Sequence, residues 1–513
     1  MVNNLSFSEH NSEPSNRISF ELAKGALYTY ASLVLLKVLL LVNSIIVARW
    51  LGPNNLGIYS ILLQIQNLVI TFGLFGIPIS VSKFIAEYTK KDKSDLQNIV
   101  SSLITFSFII SVIIAIPFFI SSDFLASKIY KEPALKLLIR ISSFTIFISL
   151  LNSLYKAIMQ GFQKIESLAK INVAVGLVSV VITFLMVTNM NLFGVVIRDL
   201  VIAIISIISL SVLLYKTISF ASLKVSLKFD KDIILKVFVF AIPLFMGSIF
   251  VYAGDLFIRS NLAIKCGFDK SGLFYIADNF FQIIYFIPQA IAIPFLPIIT
   301  RMYFSDVKNF SKNASRVVKL TGFLVLPVAV VLGIFSKALI GFLYGGNYLG
   351  SWTVSFLVIF GSVFLSPSYI IGQAFVGAGK SWQTLSLRFI QVSVNVAISY
   401  YFISLWGLIG LGAAILISNV FSSLLFAIYG INILKLKDMS LGIFQLLVLI
   451  FGCISYFIIS KTTGVFFISG SLITVLMLLL IEYLLLNKED KVQLIEITHT
   501  LFRNPTKVKI NQV

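Results

Sequence analysis

The chain is a succession of apolar runs, most of them close to twenty residues long, each closed by charges, by a Gly-Pro turn or by an Asn/Ser cluster. A run of that length crosses the roughly 30 Å hydrocarbon core of a bilayer as one helix. Inside lipid every backbone N–H and C=O has to be satisfied within the protein, so only helices or a closed barrel can span. A barrel would show alternating segments of roughly ten residues, and this sequence shows none. With 58% apolar and only 12% charged residues, the chain is too apolar for a soluble globule. The fold class that follows is an all-α polytopic membrane protein.

Counting the runs gives about 14 transmembrane helices. The first six are placed near 26–48, 56–79, 98–120, 136–157, 168–188 and 194–215. A basic connector follows, and then six more near 234–258, 272–298, 314–335, 352–375, 383–404 and 407–431. Two final spans lie near 441–460 and 465–486. The organisation expected is a polar N-terminal tail (1–24), an N-terminal six-helix bundle (25–215), a connector (216–233), a C-terminal six-helix bundle (234–432), two additional helices (433–487) and a charged tail (488–513). Pro288, Pro294 and Pro297 are expected to bend the eighth span.

A net charge of +19 would point to nucleic acid in a soluble protein. Here the cations sit between apolar runs, where they set topology instead, and no nucleic-acid partner is expected. Lys83, Lys90, Lys91 and Lys93 fall in one loop, Lys216, Lys224, Lys228, Lys231 and Lys236 in another, and Arg301, Lys308, Lys312, Arg316 and Lys319 in a third. All three loops share a side, so both termini are expected in the cytoplasm. The polar residues 1–24 do not resemble a signal peptide, and the first span is expected to be uncleaved. Cys266 and Cys453 lack CxxC spacing, while His10 and His499 lie in the tails. No disulfide, metal or intramembrane imidazole is therefore expected.

The chain also repeats itself. Laying Leu36–Thr71 over Val251–Phe286 brings Gly52 onto Gly267, Gly57 onto Gly272, Tyr59 onto Phe274 and Asn67 onto Gln282. QGFQK at 160–164 then faces VGAGK at 376–380, and Leu192-Phe193-Gly194 faces Leu405-Trp406-Gly407. The offset spans six helices, an even number, so equivalent helices run in the same direction and the two bundles are parallel repeats.

Polar residues within the spans fall on shared faces. Lys37 lies about twelve residues into the first span, near the bilayer midplane, where a lysine costs roughly 2.5–3.5 kcal/mol. It overlays Tyr252, just as Ser44 overlays Arg259. Ser248, Tyr252, Asp255 and Arg259 form a stripe at steps of four, three and four, and Asp255 and Arg259 have the spacing of an intrahelical ion pair. Ser60, Gln64, Asn67 and Thr71 repeat the steps in the second span, and Asp278, Gln282, Tyr285 and Gln289 do so in the eighth. A face kept polar in lipid must look at protein or water. The candidate substrate-binding residues are therefore Lys37, Gln64, Asn67, Tyr252, Asp255, Arg259, Asp278, Gln282 and Tyr285. Arg140, Arg198 with Asp199, Arg388 and Glu482 lie nearer to span ends and are expected to snorkel.

RWLGPNNLGIYS at Arg49–Ser60, GIPISVSKFIAEYTKKDK at Gly76–Lys93 and QGFQK at Gln160–Lys164, in that order and spacing, resemble the polysaccharide and O-antigen flippase branch of the multidrug/oligosaccharidyl-lipid/polysaccharide exporter superfamily. That resemblance implies a V-shaped pair of six-helix bundles that alternates between inward-open and outward-open states while moving a lipid-linked sugar. It carries no sharply defined motif of binding residues.

The leading expectation is a flippase for a polyprenyl-(pyro)phosphate-linked oligosaccharide in the cytoplasmic membrane. Cations such as Lys37 and Arg259 suit the phosphate, and amides and tyrosines suit the sugar. The alternative is an ion-coupled multidrug or cation exporter of the same superfamily, a role that the two cations oppose. A membrane glycosyltransferase or polymerase would need acidic or His groups in sizeable loops, which this chain does not offer, so it is not expected to be an enzyme. No cofactor is expected, coupling to a Na⁺ or H⁺ gradient is left open, and the expected partners are the lipid-linked oligosaccharide, membrane lipids and glycan-assembly enzymes.

Overall fold

A computed structural model describes residues 13–89, 93–220, 226, 229–305, 307–436, 441–461 and 464–485. Residues 1–12 of the N-terminal tail, most of the connector between 221 and 228, and the charged tail at 488–513 lie outside the described residues, as do His10 and His499. The helices are α1 (Glu13–Leu74), α2 (Ile77–Tyr88), α3 (Lys93–Ile120), α4 (Ser122–Phe124), α5 (Ala134–Gly161), α6 (Ile165–Phe220), α7 (Lys231–Cys266), α8 (Phe268–Ser305), α9 (Val307–Leu343), α10 (Trp352–Gly377), α11 (Ser381–Leu434), α12 (Leu441–Lys461) and α13 (Gly464–Leu485). A π-helical turn, Leu125–Ile129, follows α4, and a 3₁₀ turn, Gly346–Ser351, precedes α10.

Three of these helices are far too long for one crossing. At 62, 56 and 54 residues, α1, α6 and α11 would each be about 80–95 Å long if straight. Each breaks once: α1 at Gly52, α6 at Asn191 and α11 at Gly407. Each therefore supplies two membrane-crossing legs. Together with α3, α5, α7, α8, α9, α10, α12 and α13 they make fourteen legs among the described residues, matching the predicted spans. The short α2 buries Ile77, Val81 and Ile85 on one face. α8 remains one helix through its three prolines.

The backbone makes the internal repeat concrete. Gly52 (φ 71°, ψ 168°) and Gly267 (φ 95°, ψ 159°) share a conformation open in practice only to glycine, and each joins the same pair of legs. After α5 the N–H of Lys164 bonds to the Met159 carbonyl at 3.0 Å and that of Gln163 to Gln160 at 2.9 Å. After α10, Lys380 bonds to Phe375 at 2.8 Å and Gly379 to Val376 at 3.0 Å. These are two Schellman caps 216 residues apart, with Gln163 and Gly379 both left-handed.

The third sequence match needs correcting. Gly194 does not correspond to Gly407. Asn191 (φ 49°, ψ −129°) has the backbone of Gly407 (φ 55°, ψ −128°), and Gly194 packs against the Met186 carbonyl as Gly410 packs against that of Phe402. The register is 216 residues, three more than the matching letters imply, because the break follows the residue able to take a positive φ.

The chain packs into two compact units. The first comprises Met1–Asn279, Gly341–Ser351 and Trp382–Ala414, and the second Phe280–Ile340, Trp352–Ser381 and Ile415–Val513. In the first unit α6 packs on α1 and α5, and α5 packs on α2 and α3. Two apolar layers fill it, one around Ile85, Val100, Ile158 and Val237, the other around Ile61, Leu62, Ile139 and Leu150. In the second unit α10 is the most enveloped helix. Its Ser362 and Ser366 are fully buried and return their hydroxyls to carbonyls of their own helix, and Phe356 and Phe360 pack toward α12.

Candidate functional site

The first unit holds a chain of buried polar groups. On α7 and α8, Arg259 pairs with Asp278 at 3.1 Å, with side-chain exposures of 9% and 24%. Its guanidinium also stands 5.0 Å from the centre of the Phe274 ring. On α6, Arg198 pairs with Asp199 at 2.9 Å, donates to the Tyr59 hydroxyl at 2.8 Å and to Thr183 Oγ1 at 3.1 Å. The Tyr59 hydroxyl donates to Asp199 Oδ2 at 3.0 Å. Thr183 in turn donates to Asn43 Oδ1, while Asn43 Nδ2 donates to Ser179.

These arrangements echo each other. Tyr59 and Phe274 are equivalent in the repeat, each follows a repeat glycine by two residues, and each carries a buried guanidinium that has its own carboxylate. An ion removed from water is tolerable only when paired and hydrogen-bonded, and both arginines meet that condition.

Two expectations change here. Asp255 and Arg259 have the spacing for an intrahelical pair, but the ion pair is Arg259–Asp278. Asp255, partly buried, makes no ion pair or hydrogen bond among the described residues. Arg198 does not snorkel: with 7% of its surface exposed it is a core residue of the first unit, and Asp199 is its partner. Glu482 is similarly buried, at 6%, with Oε1 making no hydrogen bond among the described residues. Arg140 (to Ser122, 3.2 Å) and Arg388 (to Gln391, 3.1 Å) are partly buried and bonded to neighbouring side chains.

Lys37 is partly buried on the first leg of α1, close in sequence to Leu36 and Leu39, which pack on Gly176 of α6. Gln64 is partly buried and Asn67 exposed on the second leg, and Tyr252 is exposed on α7. Gln282 and Tyr285 belong to the second unit. Gln282 is exposed, while Tyr285 is partly buried, stacked on Phe281 at 5.2 Å and edge-on to Tyr369 at 5.3 Å. Of the nine predicted residues, the structure joins Arg259 and Asp278 by a direct bond.

Sequence reasoning named Tyr59 and Ser44 only as repeat correspondences and passed over Asn43 and Asn279, and all four take part in the network's hydrogen bonds. Asn279 Nδ2 donates to Ser44 Oγ at 2.6 Å. The signal available was two adjacent polar residues, Asn43-Ser44, deep in an apolar run. Gln66, also outside the predicted stripe, is buried and donates to Ser142 at 2.7 Å, tying α1 to α5.

Residues 46–353 match the family model described as polysaccharide biosynthesis protein. A putative O-antigen transporter of Shigella flexneri is 22% identical over 373 residues, covering 71% of this chain and 86% of that one. An uncharacterized membrane protein of Methanocaldococcus jannaschii is 21% identical over 410 residues, 76% and 79% of the two chains. Among solved structures, the lipid II flippase MurJ in an inward closed conformation superposes with a TM-score of 0.71 at 16% identity, covering 89% of this chain and 99% of that one. An inward-facing multidrug resistance MATE family transporter of the MOP superfamily superposes at 0.68, again with 16% identity, covering 80% and 99%. The fold is thus that of the multidrug/oligosaccharidyl-lipid/polysaccharide exporters, and with three-fifths of its length matched by the family model the chain belongs to the polysaccharide biosynthesis protein family.

Proposed function

We propose that this multi-pass membrane protein is a flippase that carries a polyprenyl-(pyro)phosphate-linked oligosaccharide across the cytoplasmic membrane by alternating access, for surface polysaccharide assembly. What carries the reading is that the family match and the polar faces fall on the same helices. Residues 46–353 contain Gln64, Asn67, Tyr252, Asp255, Arg259, Asp278, Gln282 and Tyr285, and Lys37 lies just upstream on α1. A relative described as a putative O-antigen transporter and a fold shared with a lipid II flippase support a lipid-linked saccharide as the cargo class.

In this reading Lys37 meets the phosphate as a point charge. Arg259 arrives already neutralised by Asp278 and shapes the site through that pair. Amides and tyrosines bind the sugar, and the polyprenyl tail stays in lipid. Both termini are cytoplasmic, the substrate is handed over by glycan-assembly enzymes, and the protein itself breaks no covalent bond.

The test is a deletion strain. Loss of this protein should abolish surface polysaccharide while its lipid-linked precursor accumulates on the cytoplasmic leaflet, and efflux of a cationic dye should be the same with and without a sodium gradient. Normal surface polysaccharide together with sodium-dependent loss of dye efflux would instead identify a cation exporter.

A further inference from the structure

The outer ends of the two repeats meet inside the first compact unit, and they meet unevenly. At the centre, Gly57 and Gly272 touch backbone to backbone. A Cβ on Gly57 would overlap the Phe268 carbonyl and lie 3.0 Å from the Gly272 nitrogen, and one on Gly272 would overlap the Pro53 carbonyl and lie 3.1 Å from the Gly57 nitrogen. Pro53 and Phe268 are themselves equivalent, so the contact is reciprocal about the repeat axis. No side chain stands between the helices here, so they can roll on each other.

On one side of that contact the bonds between repeats are many and partly charged. The Arg49 guanidinium donates to the Leu343 carbonyl at 2.6 Å and to that of Phe342, capping the end of α9. Tyr348 donates to the Ala48 carbonyl at 2.6 Å, and Asn279 donates to Ser44. On the other side Tyr130 meets Ser260 at 2.8 Å, the one neutral bond there among the described residues.

The sequence explains the difference. In the repeat register Arg49 becomes Ile264, which has no group to donate, and the neighbouring Lys265 turns to Ser404 (2.7 Å) and the Tyr400 ring (3.8 Å) within its own repeat. Offsets of 216 and 215 place Tyr348 over Glu132 and Pro133, and neither has a hydroxyl to donate. The ion pairs Arg198–Asp199 and Arg259–Asp278 each lie within one repeat and stiffen it without crossing the seam. Bonds from a charged donor outlast neutral ones.

We propose that this outer seam opens like a door, with the Arg49–Tyr348 edge as its hinge, the Gly57–Gly272 contact as its pivot and the Tyr130–Ser260 bond as its latch. The proposal rests on the transport reading for its purpose and on the predicted orientation for the word outer. Its mechanics rest on geometry alone.

The experiment uses the full chain in nanodiscs, with Cys266 and Cys453 replaced by Ser and spin labels placed on exposed positions. One pair, Lys128→Cys with Ile264→Cys, reports the latch edge, and another, Asn54→Cys with Asn347→Cys, reports the hinge edge. Tyr130→Phe should at least double a second latch-edge population lying about 5 Å or more farther apart, the scale of one helical turn. The hinge-edge distance should stay single with Tyr130→Phe. A hinge edge that moves with Tyr130→Phe, or a latch edge that stays single with and without it, overturns the proposal. Joining Tyr130→Cys to Ser260→Cys with a short bifunctional thiol reagent should also stop flipping of a lipid-linked oligosaccharide until reductant is added. Spin labels that move as expected in a protein that flips nothing would refute the transport reading and leave the door intact.

Discussion

Arg259 lies among membrane helices and is matched by Asp278 on the next helix rather than by Asp255 four residues back on its own. The charges were legible in the sequence because an ion within an apolar run stands out. The partner was not, because periodicity reports which residues share a face of one helix and says nothing of what the neighbouring helix brings to it. The same limit hid Arg198: its nearness to a span end suggested a snorkelling side chain, whereas Tyr59 and Thr183, both distant in sequence, hold it in the core. Removing one member of a buried pair strands the other, at a cost of about 3–5 kcal/mol. Arg259→Ala and Asp278→Ala should therefore each lower the unfolding midpoint of the purified protein strongly. The exchanged double variant, Arg259→Asp with Asp278→Arg, should recover much of that loss, and Asp255→Ala should be the mildest of the series. An Asp255→Ala variant as unstable as Asp278→Ala would show that the intrahelical spacing had been the right guide.

Among the helices, glycines set two of the three breaks, at Gly52 and Gly407, and the close backbone approach at Gly57 and Gly272. Gly52 and Gly267 were legible as paired turns because a repeat exposes positions whose backbone admits no side chain. The register of the Asn191 and Gly407 breaks was misread by three residues, since Leu-Phe-Gly and Leu-Trp-Gly look alike while the positive φ falls on Asn191 in one copy and Gly407 in the other. The reciprocal role of Gly57 and Gly272 follows only from coordinates. Gly57→Ala or Gly272→Ala puts a methyl into a backbone carbonyl of the facing helix, and neither partner is a side chain able to swing aside. Either variant should express poorly or lose several degrees of thermal stability in detergent. Gly346→Ala, with nothing within 4 Å of its new methyl, should behave as the parent. Equal melting temperatures for all three would mean that the helices do not cross at the glycines.

For the whole molecule, the count of fourteen legs and their order were readable from the sequence because bilayer thickness fixes the length of an apolar run. The nine proposed binding residues were less readable. They follow from helical faces, and the structure assigns Gln282 and Tyr285 to one compact unit and the other seven to the other. Orientation rests on the loop lysines and arginines, and reporter fusions test it: a fusion after Asn347, in the turn before α10, should report the outer side, and one at the C-terminus the cytoplasm. The same side for both would contradict the scheme. The claim that the protein flips a lipid-linked saccharide is tested most directly in proteoliposomes carrying a fluorescent polyprenyl-pyrophosphate-linked oligosaccharide, by following how much label a membrane-impermeant quencher can reach. The parent protein should equilibrate the label between leaflets. Lys37→Met, which keeps the length of the side chain and removes an ion costing roughly 2.5–3.5 kcal/mol at mid-membrane, should insert at least as well yet equilibrate it at least tenfold more slowly, with Lys37→Arg in between. Label that stays in its original leaflet with the parent protein, or crosses as fast with Lys37→Met, would contradict the account.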